Sequence, residues 1–175
     1  MRVLFMKTRT GQYGFSLIEI LITVAIIGIL AAIATPSFLT WLPDMRLNSA
    51  ARDLYSTIMR AKVTATRLNR NCTIVFNQTI NNVTFAYVLF VDSNGNSEYD
   101  TGEPIIVQQQ WPQSVGLSDI NFPANDEYLN SISFRPNSIP TGNVGGLANG
   151  TARLKNTNGR EKKIIVNIFG NVRIE

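Results

Sequence analysis

The chain has 175 residues, 45% of them hydrophobic, with a net charge of +4 and a pI near 9.5. That suits one modest globular domain plus one apolar segment. With no histidine and a single cysteine, Cys72, the composition excludes Ser-His-Asp and Cys-His catalysis, the usual zinc sites and any intrachain disulfide. A domain exported from the cytoplasm would have to stand on its own core.

Residues 1–14 are polar and basic, carrying Arg2, Lys7 and Arg9 and no acid. Removing them takes away three positive charges and leaves a net charge of +1. The high pI is therefore weak evidence for a nucleic-acid partner. An apolar run from Ile20 to Ala34 follows, interrupted only by Thr23 and Gly28, with one carboxylate, Glu19, at its mouth. A lone acid at the edge of a membrane-type segment is costly and so points to a function.

Three readings fit this N-terminus. One is a secretory signal peptide, with Ala32-Ile33-Ala34 as its A-x-A cleavage site. Another is a plain anchor, since Phe15 to Phe38 supplies the roughly 20 apolar residues that span a bilayer. Lys7 and Arg9 would then hold the leader in the cytoplasm. The third starts from Gly14-Phe15-Ser16-Leu17-Ile18-Glu19, the apolar stretch Leu21 to Ala34, and Pro36. This pattern resembles the class III signal of type IV prepilins. The resemblance implies cleavage between Gly14 and Phe15 by a prepilin peptidase, N-methylation of Phe15, and retention of the helix as membrane anchor and filament core. Physical chemistry favours it over the first reading. An acid gains nothing in a discarded segment, whereas Glu19 in the first turn of a retained helix meets a favourable macrodipole. Glu19 can also pair with a neighbouring subunit's Phe15 ammonium during assembly. A buried pair of this kind gives register more reliably than net stability.

Pro36 falls where the anchor leaves the bilayer and, like Pro43, can kink a helix. Trp41, just beyond, suits the bilayer interface. Leu47, Ala50, Ala51, Leu54, Ile58, Ala61, Ala65 and Leu68 then recur at helical spacing and predict an amphipathic helix over about 37–70. Its apolar stripe should pack on a sheet. Its other face carries Arg46, Arg52, Arg60, Lys62, Arg67 and Arg70 against Asp44 and Asp53, a solvated or intersubunit surface that could also meet anionic headgroups.

Residues 71–175 read as strands at Cys72–Phe76, Val83–Val91, Ile105–Gln109, Ser131–Phe134, Thr151–Leu154 and Lys162–Phe169, with a Gly/Asn-rich loop from Gly142 to Gly150. Cys72 reads as a small buried apolar residue, and Trp111 as a core or hairpin residue. One long helix followed by many strands predicts an α+β fold, the helix packed on an antiparallel β-domain. The predicted divisions are a leader (1–14), a transmembrane and assembly helix (15–36), an amphipathic helix (37–70) and a β-rich domain (71–175).

Phe90-Val91-Asp92-Ser93-Asn94-Gly95-Asn96 with Tyr99-Asp100-Thr101-Gly102-Glu103, then Ile132-Ser133-Phe134 and the closing run Ile164 to Arg173, resemble FimT/GspH-type minor pilins and pseudopilins. That resemblance implies a type IV pilin-like fold and a structural, non-enzymatic subunit at or near the tip of a pilus or type II secretion pseudopilus. It also implies a single-pass inner-membrane protein with its C-terminal domain in the periplasm. The implied partners are other pilins or pseudopilins, a prepilin peptidase/methyltransferase and an inner-membrane assembly platform. The N-terminal signal is shared by pilus, secretion and competence machines alike.

Two further sites are candidates. Asp92, Asn94, Asn96, Glu98, Asp100 and Glu103 occupy positions 1, 3, 5, 7, 9 and 12 of a calcium-binding EF-hand loop. Against calcium, Ser97 stands where the sharp turn wants glycine and the flanks read as strands. The alternative is a polar turn bonding its own backbone. For DNA, the candidates are Arg153, Lys155, Arg160, Lys162, Lys163 and Arg173. Some FimT-type pilins take up DNA during transformation and carry a Gly-Arg-x-Arg tail. Here Gly170-Asn171-Val172-Arg173 lacks the first arginine. Glu161 and Glu175 dilute the patch and no aromatic residues alternate with it for base stacking. The alternative is a solvated basic turn at Asn158-Gly159.

Overall fold

A computed structural model describes residues 14–123, 130–142 and 146–175, apart from the side chains of residues 36 and 37. The leader up to residue 13, with Arg2, Lys7 and Arg9, lies outside the described residues, as does part of the Gly142–Gly150 loop. The chain comprises two compact units, Met1–Leu39 and Thr40–Glu175.

One helix, α1 (Leu17–Leu68), runs through both. The predicted apolar and amphipathic segments, 15–36 and 37–70, are halves of this one long helix, and the backbone stays helical at positions 36 and 43. Each proline removes one backbone donor, but the apolar stripe that follows is packed from Leu47 to Ala65. Leu47, Ala50, Ala51, Leu54, Ile58, Ala61 and Ala65 are all buried, as the periodicity predicts. Leu68 is not: it is 44% exposed. There α1 ends in a Schellman motif, with Asn69 left-handed (φ 51°) and the Arg70 N–H donating to the Ala65 carbonyl at 3.2 Å. The last turn is therefore steered away from the core.

The strands form two larger sheets and a small hairpin. The first sheet contains β1 (Asn71–Phe76), β4 (Tyr87–Asp92), β5 (Ile105–Gln109), β7 (Ser131–Phe134) and β8 (Pro140–Thr141), in the order β5-β4-β1-β7-β8. The second contains β6 (Val115–Ile120), β9 (Gly150–Asn156), β10 (Glu161–Val166) and β11 (Val172–Ile174), in the order β11-β10-β9-β6. β2 (Thr79–Ile80) and β3 (Val83–Thr84) form the hairpin. Pairing within both sheets is antiparallel, so the architecture is the α+β arrangement the sequence predicts.

Strand periodicity explains the main core. Cys72, Ile74 and Phe76 of β1 join Tyr87, Leu89 and Val91 of β4, Ile132 and Phe134 of β7, and Leu154, Ile164 and Val166 of the second sheet. All pack with the buried stripe of α1. Tyr87 hydrogen bonds Thr57 on α1, and burial raises its pKa. Its ring meets Trp111 edge-on at 5.5 Å. Phe76 stacks on Phe122 at 5.7 Å. Cys72 is fully buried, and burial, with Asp92 nearby, pushes its thiol up to about 11. It behaves as an inert apolar side chain.

β4 is buried on both faces. Its outer residues Val88 and Phe90 join Val75 in a second, smaller cluster covered by Ile80, Phe85, Tyr99 and Ile105. Tyr99 lies edge-on to Phe90 at 5.5 Å. The loop that follows β4 thus closes back over the sheet.

Candidate assembly site

Gly14, Phe15 and Ser16 are exposed and non-helical, and α1 begins at Leu17. The Ser16 carbonyl accepts the N–H groups of Glu19 at 3.0 Å and Ile20 at 3.2 Å. Glu19 is therefore the acid of the first turn, where the unpaired N–H groups favour negative charge. Ser16-Leu17-Ile18-Glu19 also has the spacing of a capping box, a local signal for the helix start that the sequence reading missed. A Cβ added at Gly14 would meet nothing within 4 Å, and its φ is not left-handed. This fold makes no demand for glycine there.

Leu17–Thr35 is a 19-residue helical segment of mean hydropathy 2.8, none of it buried within the chain. At 1.5 Å per residue it is about 28 Å long, close to the thickness of a bilayer's hydrocarbon core. It is apolar all round, which is the pattern of a membrane span or of the centre of a larger assembly. Its two hydroxyls return to its own backbone: Thr23 donates to the Ile20 carbonyl at 2.8 Å and Thr35 to the Ala31 carbonyl at 2.7 Å. Neither is left for hydrocarbon to solvate. Ala32-Ile33-Ala34 lies within the helix, whereas the Gly14–Phe15 bond lies outside it.

The acidic loop after β4 bonds to itself. Asp92 is 3% exposed. Its Oδ1 accepts the Gly95 N–H at 2.6 Å, and its Oδ2 accepts the Ser97 N–H and the Thr73 hydroxyl, both at 3.0 Å. Asn94 and Asn96 accept the N–H groups of Asn96 and Glu98 respectively, and both amides donate to Asp100 Oδ2. Glu103 closes the loop by accepting from Ser93 at 2.7 Å and Asp100 at 3.1 Å. Ser97 takes the left-handed conformation itself (φ 61°), as does Gly95. The six candidate calcium ligands are thus brought into one loop, but their oxygens point largely at its own N–H groups. Among the described residues no group of three or more His, Cys, Asp or Glu is placed to hold a metal. Asp92→Ala is expected to destabilise the domain by about 2–3 kcal/mol, because it strands buried donors; chemical denaturation of the full chain in detergent measures this.

Of the six cations proposed for DNA, Arg153, Lys155, Lys163 and Arg173 share one face of the second sheet by register, Lys162 is on the other face, and Arg160 follows the turn between β9 and β10. Arg160 pairs with Asp44 of α1 at 3.2 Å. Arg153 lies between Asp119 and Glu161 at 4.0 and 3.9 Å, and Lys155 lies 3.5 Å from Glu161. Arg173 pairs with Glu175 at 3.1 Å. Lys163 stands opposite Arg153 in register, while Lys162 stands opposite Leu154, on the other side of the sheet. Gly170 has a structural role. Its φ is +76°, its carbonyl accepts from Lys62 Nζ at 2.7 Å, and a Cβ would meet the Ser138 carbonyl at 2.5 Å.

Comparison with known proteins gives consistent results. Residues 50–170 match the model of the family described as type II transport protein GspH, and residues 9–35 match the prokaryotic N-terminal methylation motif. The chain is 30% identical to the pilin-like protein PilA1 of Thermus thermophilus, over 93% of this chain and 97% of that one. No solved structure matches. An apolar helix with an acid in its first turn, joined to an antiparallel β-domain, is the form these matches require: the chain belongs to the GspH family of type IV pilin-like proteins and carries a class III prepilin signal.

Proposed function

We propose that the protein is a structural subunit that is cut between Gly14 and Phe15, methylated on Phe15, held in the inner membrane by Leu17–Thr35 and then packed by that helix into a pilus or pseudopilus. The observation carrying this reading is the exposed, non-helical Gly14–Phe15 bond immediately before a fully exposed apolar helix whose first turn holds Glu19. A peptidase needs extended backbone. Cutting after Ala34 would require a helix to unwind in its interior; cutting after Gly14 would not. The new Phe15 ammonium would sit at the positive end of the helix dipole, an unfavourable place for a cation. A carboxylate from a neighbour's Glu19 offsets it once both are out of water. The cations Lys7 and Arg9 in the leader support a cytoplasmic N-terminus by the positive-inside rule, and with it a periplasmic β-domain.

Intact-mass analysis of the protein from its native membrane is expected to give a chain beginning at N-methyl-Phe15. A mature chain beginning at Thr35 would reject the reading.

A further inference from the structure

The turn between β9 and β10 is fastened to α1. Asp44 Oδ1 accepts the side-chain amides of Asn156 at 2.7 Å and Asn158 at 3.1 Å, and Asn158 also donates to the Thr40 carbonyl at 2.7 Å. Asp44 Oδ2 pairs with Arg160 Nη1 at 3.2 Å. The turn is itself braced: Asn156 Oδ1 accepts the Arg160 N–H at 2.9 Å, and Gly159 supplies a left-handed residue (φ 81°). Asp44 is consumed inside this joint, its side chain only 14% exposed, whereas that of Arg160 is 72% exposed. Part of the guanidinium serves as a clamp, and its remaining donors face solvent.

Two more cations share this end of the domain. Lys162 lies two residues beyond Arg160, on the same side of the strand. Arg46 of α1 donates to the Gln113 carbonyl at 3.3 Å. Among the described residues neither Lys162 nor Arg46 has an acid within ion-pair distance. Glu161 lies on the opposite face, with Arg153 and Lys155. Trp41, next to the Thr40 carbonyl that holds Asn158, is 54% exposed, and Met45, one turn on, is 45% exposed. The covalent connection identifies what this surface meets. Thr40 is five residues beyond Thr35, where the apolar span ends. Five residues cover at most about 18 Å when extended and about 8 Å as helix, and the headgroup layer is roughly 6 Å deep on each side of the hydrocarbon. A turn tethered so closely meets headgroups at millimolar effective concentration. Long-stemmed cations and an exposed tryptophan are the side chains that suit that layer.

We propose that the β9–β10 turn, through Arg160 and Lys162, rests on anionic phospholipid headgroups of the bilayer that holds Leu17–Thr35, with Trp41 in the same layer. Phosphate oxygens take the guanidinium donors that Asp44 leaves open, and Asp44 with its two asparagines holds Arg160 in position. The contact is exposed and screened by salt, so it lets go when the helix is drawn into an assembly. This inference rests on the membrane-anchored reading above and deepens it, by naming the lipid class that the β-domain meets before assembly.

The test uses the full-length chain in nanodiscs of phosphatidylcholine, with or without added phosphatidylglycerol, and a fluorescence quencher attached to the lipid headgroups. Cys72 is buried, so a fluorophore goes selectively onto Thr157→Cys at the turn, or onto Thr101→Cys as a control. The control lies in the loop at the far end of α1, where Arg70 meets Ser93, about 40 Å along the helix from Thr40. Phosphatidylglycerol should increase quenching of the Thr157 label at least twofold, leave the Thr101 label unchanged, and lose its effect at high salt. Lys162→Gln, which breaks no ion pair, should lower the docked-to-free ratio obtained from the quenching about fivefold, the effect of one cation at an anionic surface. Arg160→Gln should lower it further, and Arg160→Lys should retain most of it. A Thr157 label indifferent to phosphatidylglycerol would overturn the proposal, as would a response that survives both glutamine substitutions or one shared equally by Thr101. A chain that does not enter the discs would defeat the membrane reading, and this inference with it.

Discussion

Glu19→Ala is expected to leave membrane insertion unchanged and to cut incorporation into filaments about a hundredfold. Insertion depends on Leu17–Thr35, whose mean hydropathy of 2.8 the substitution does not lower. In the proposed assembly the Phe15 ammonium leaves water, and removing the only partner of a buried charge costs about 3–5 kcal/mol. Each ~1.4 kcal/mol is a factor of ten in an equilibrium, so hundredfold is a conservative expectation. Glu19 also lies in the first turn of α1, so a simple helix-start role has to be separated from a role in assembly. Glu19→Gln does this. Glutamine keeps the length and hydrogen-bonding reach of a capping residue but not the charge. If the carboxylate pairs with a neighbour's terminus, Glu19→Gln fails in filament incorporation as Glu19→Ala does. If Glu19 only starts the helix, the glutamine variant assembles normally and the pairing idea is lost. Immunoblotting sheared filaments against total membranes gives both numbers.

Gly14→Val is expected to abolish maturation. Nothing in the fold explains a glycine at this position: a Cβ meets open space, and the backbone is not in the left-handed region. Under the processing proposed above, the small residue serves the peptidase, and a branched side chain beside the scissile bond would obstruct an enzyme that grips extended backbone. The unprocessed chain keeps its polar, basic leader, exposes no Phe15 ammonium and gives Glu19 no cationic partner. It should insert, accumulate at full length and be missing from filaments. Intact mass reads the outcome directly. A Gly14→Val protein shortened at the same bond would show that the cut does not depend on Gly14, and the processing scheme would fail.

The parts of the fold that come from local pattern are visible in the sequence. Ile105–Gln109 and Ser131–Phe134 are strands over the predicted ranges, because β-branched and aromatic residues there are bounded by turn residues. The helix stripe from Leu47 to Ala65 is buried as its spacing predicts. What the sequence conceals depends on partners distant in the chain. Val115–Ile120 contains glycine, serine and aspartate and has little strand character; it is a strand because β9 pairs with it across a bulge. Val172–Ile174 is three residues long and exists through β10. The predicted single strand Val83–Val91 divides, since Val83–Thr84 pairs back on Thr79–Ile80. At the assembly site, the order of Gly14, Phe15 and Glu19 ahead of an apolar helix is legible without coordinates. The candidate calcium loop is not. Its spacing fits a ligand set, but spacing does not reveal that Asp92 and Glu103 accept from the loop's own N–H groups.

By composition that loop, rich in asparagine, serine and glycine, would be the first place to cut, shorten or insert a tag. Its position above Val75, Val88 and Phe90 argues the opposite. Tyr99 and the strand that follows are the roof of a second small core, so excising residues 93–103 would leave an apolar face of the first sheet open to solvent, next to a strand edge that invites pairing with other chains. A protease would find here one of the more resistant stretches of the surface.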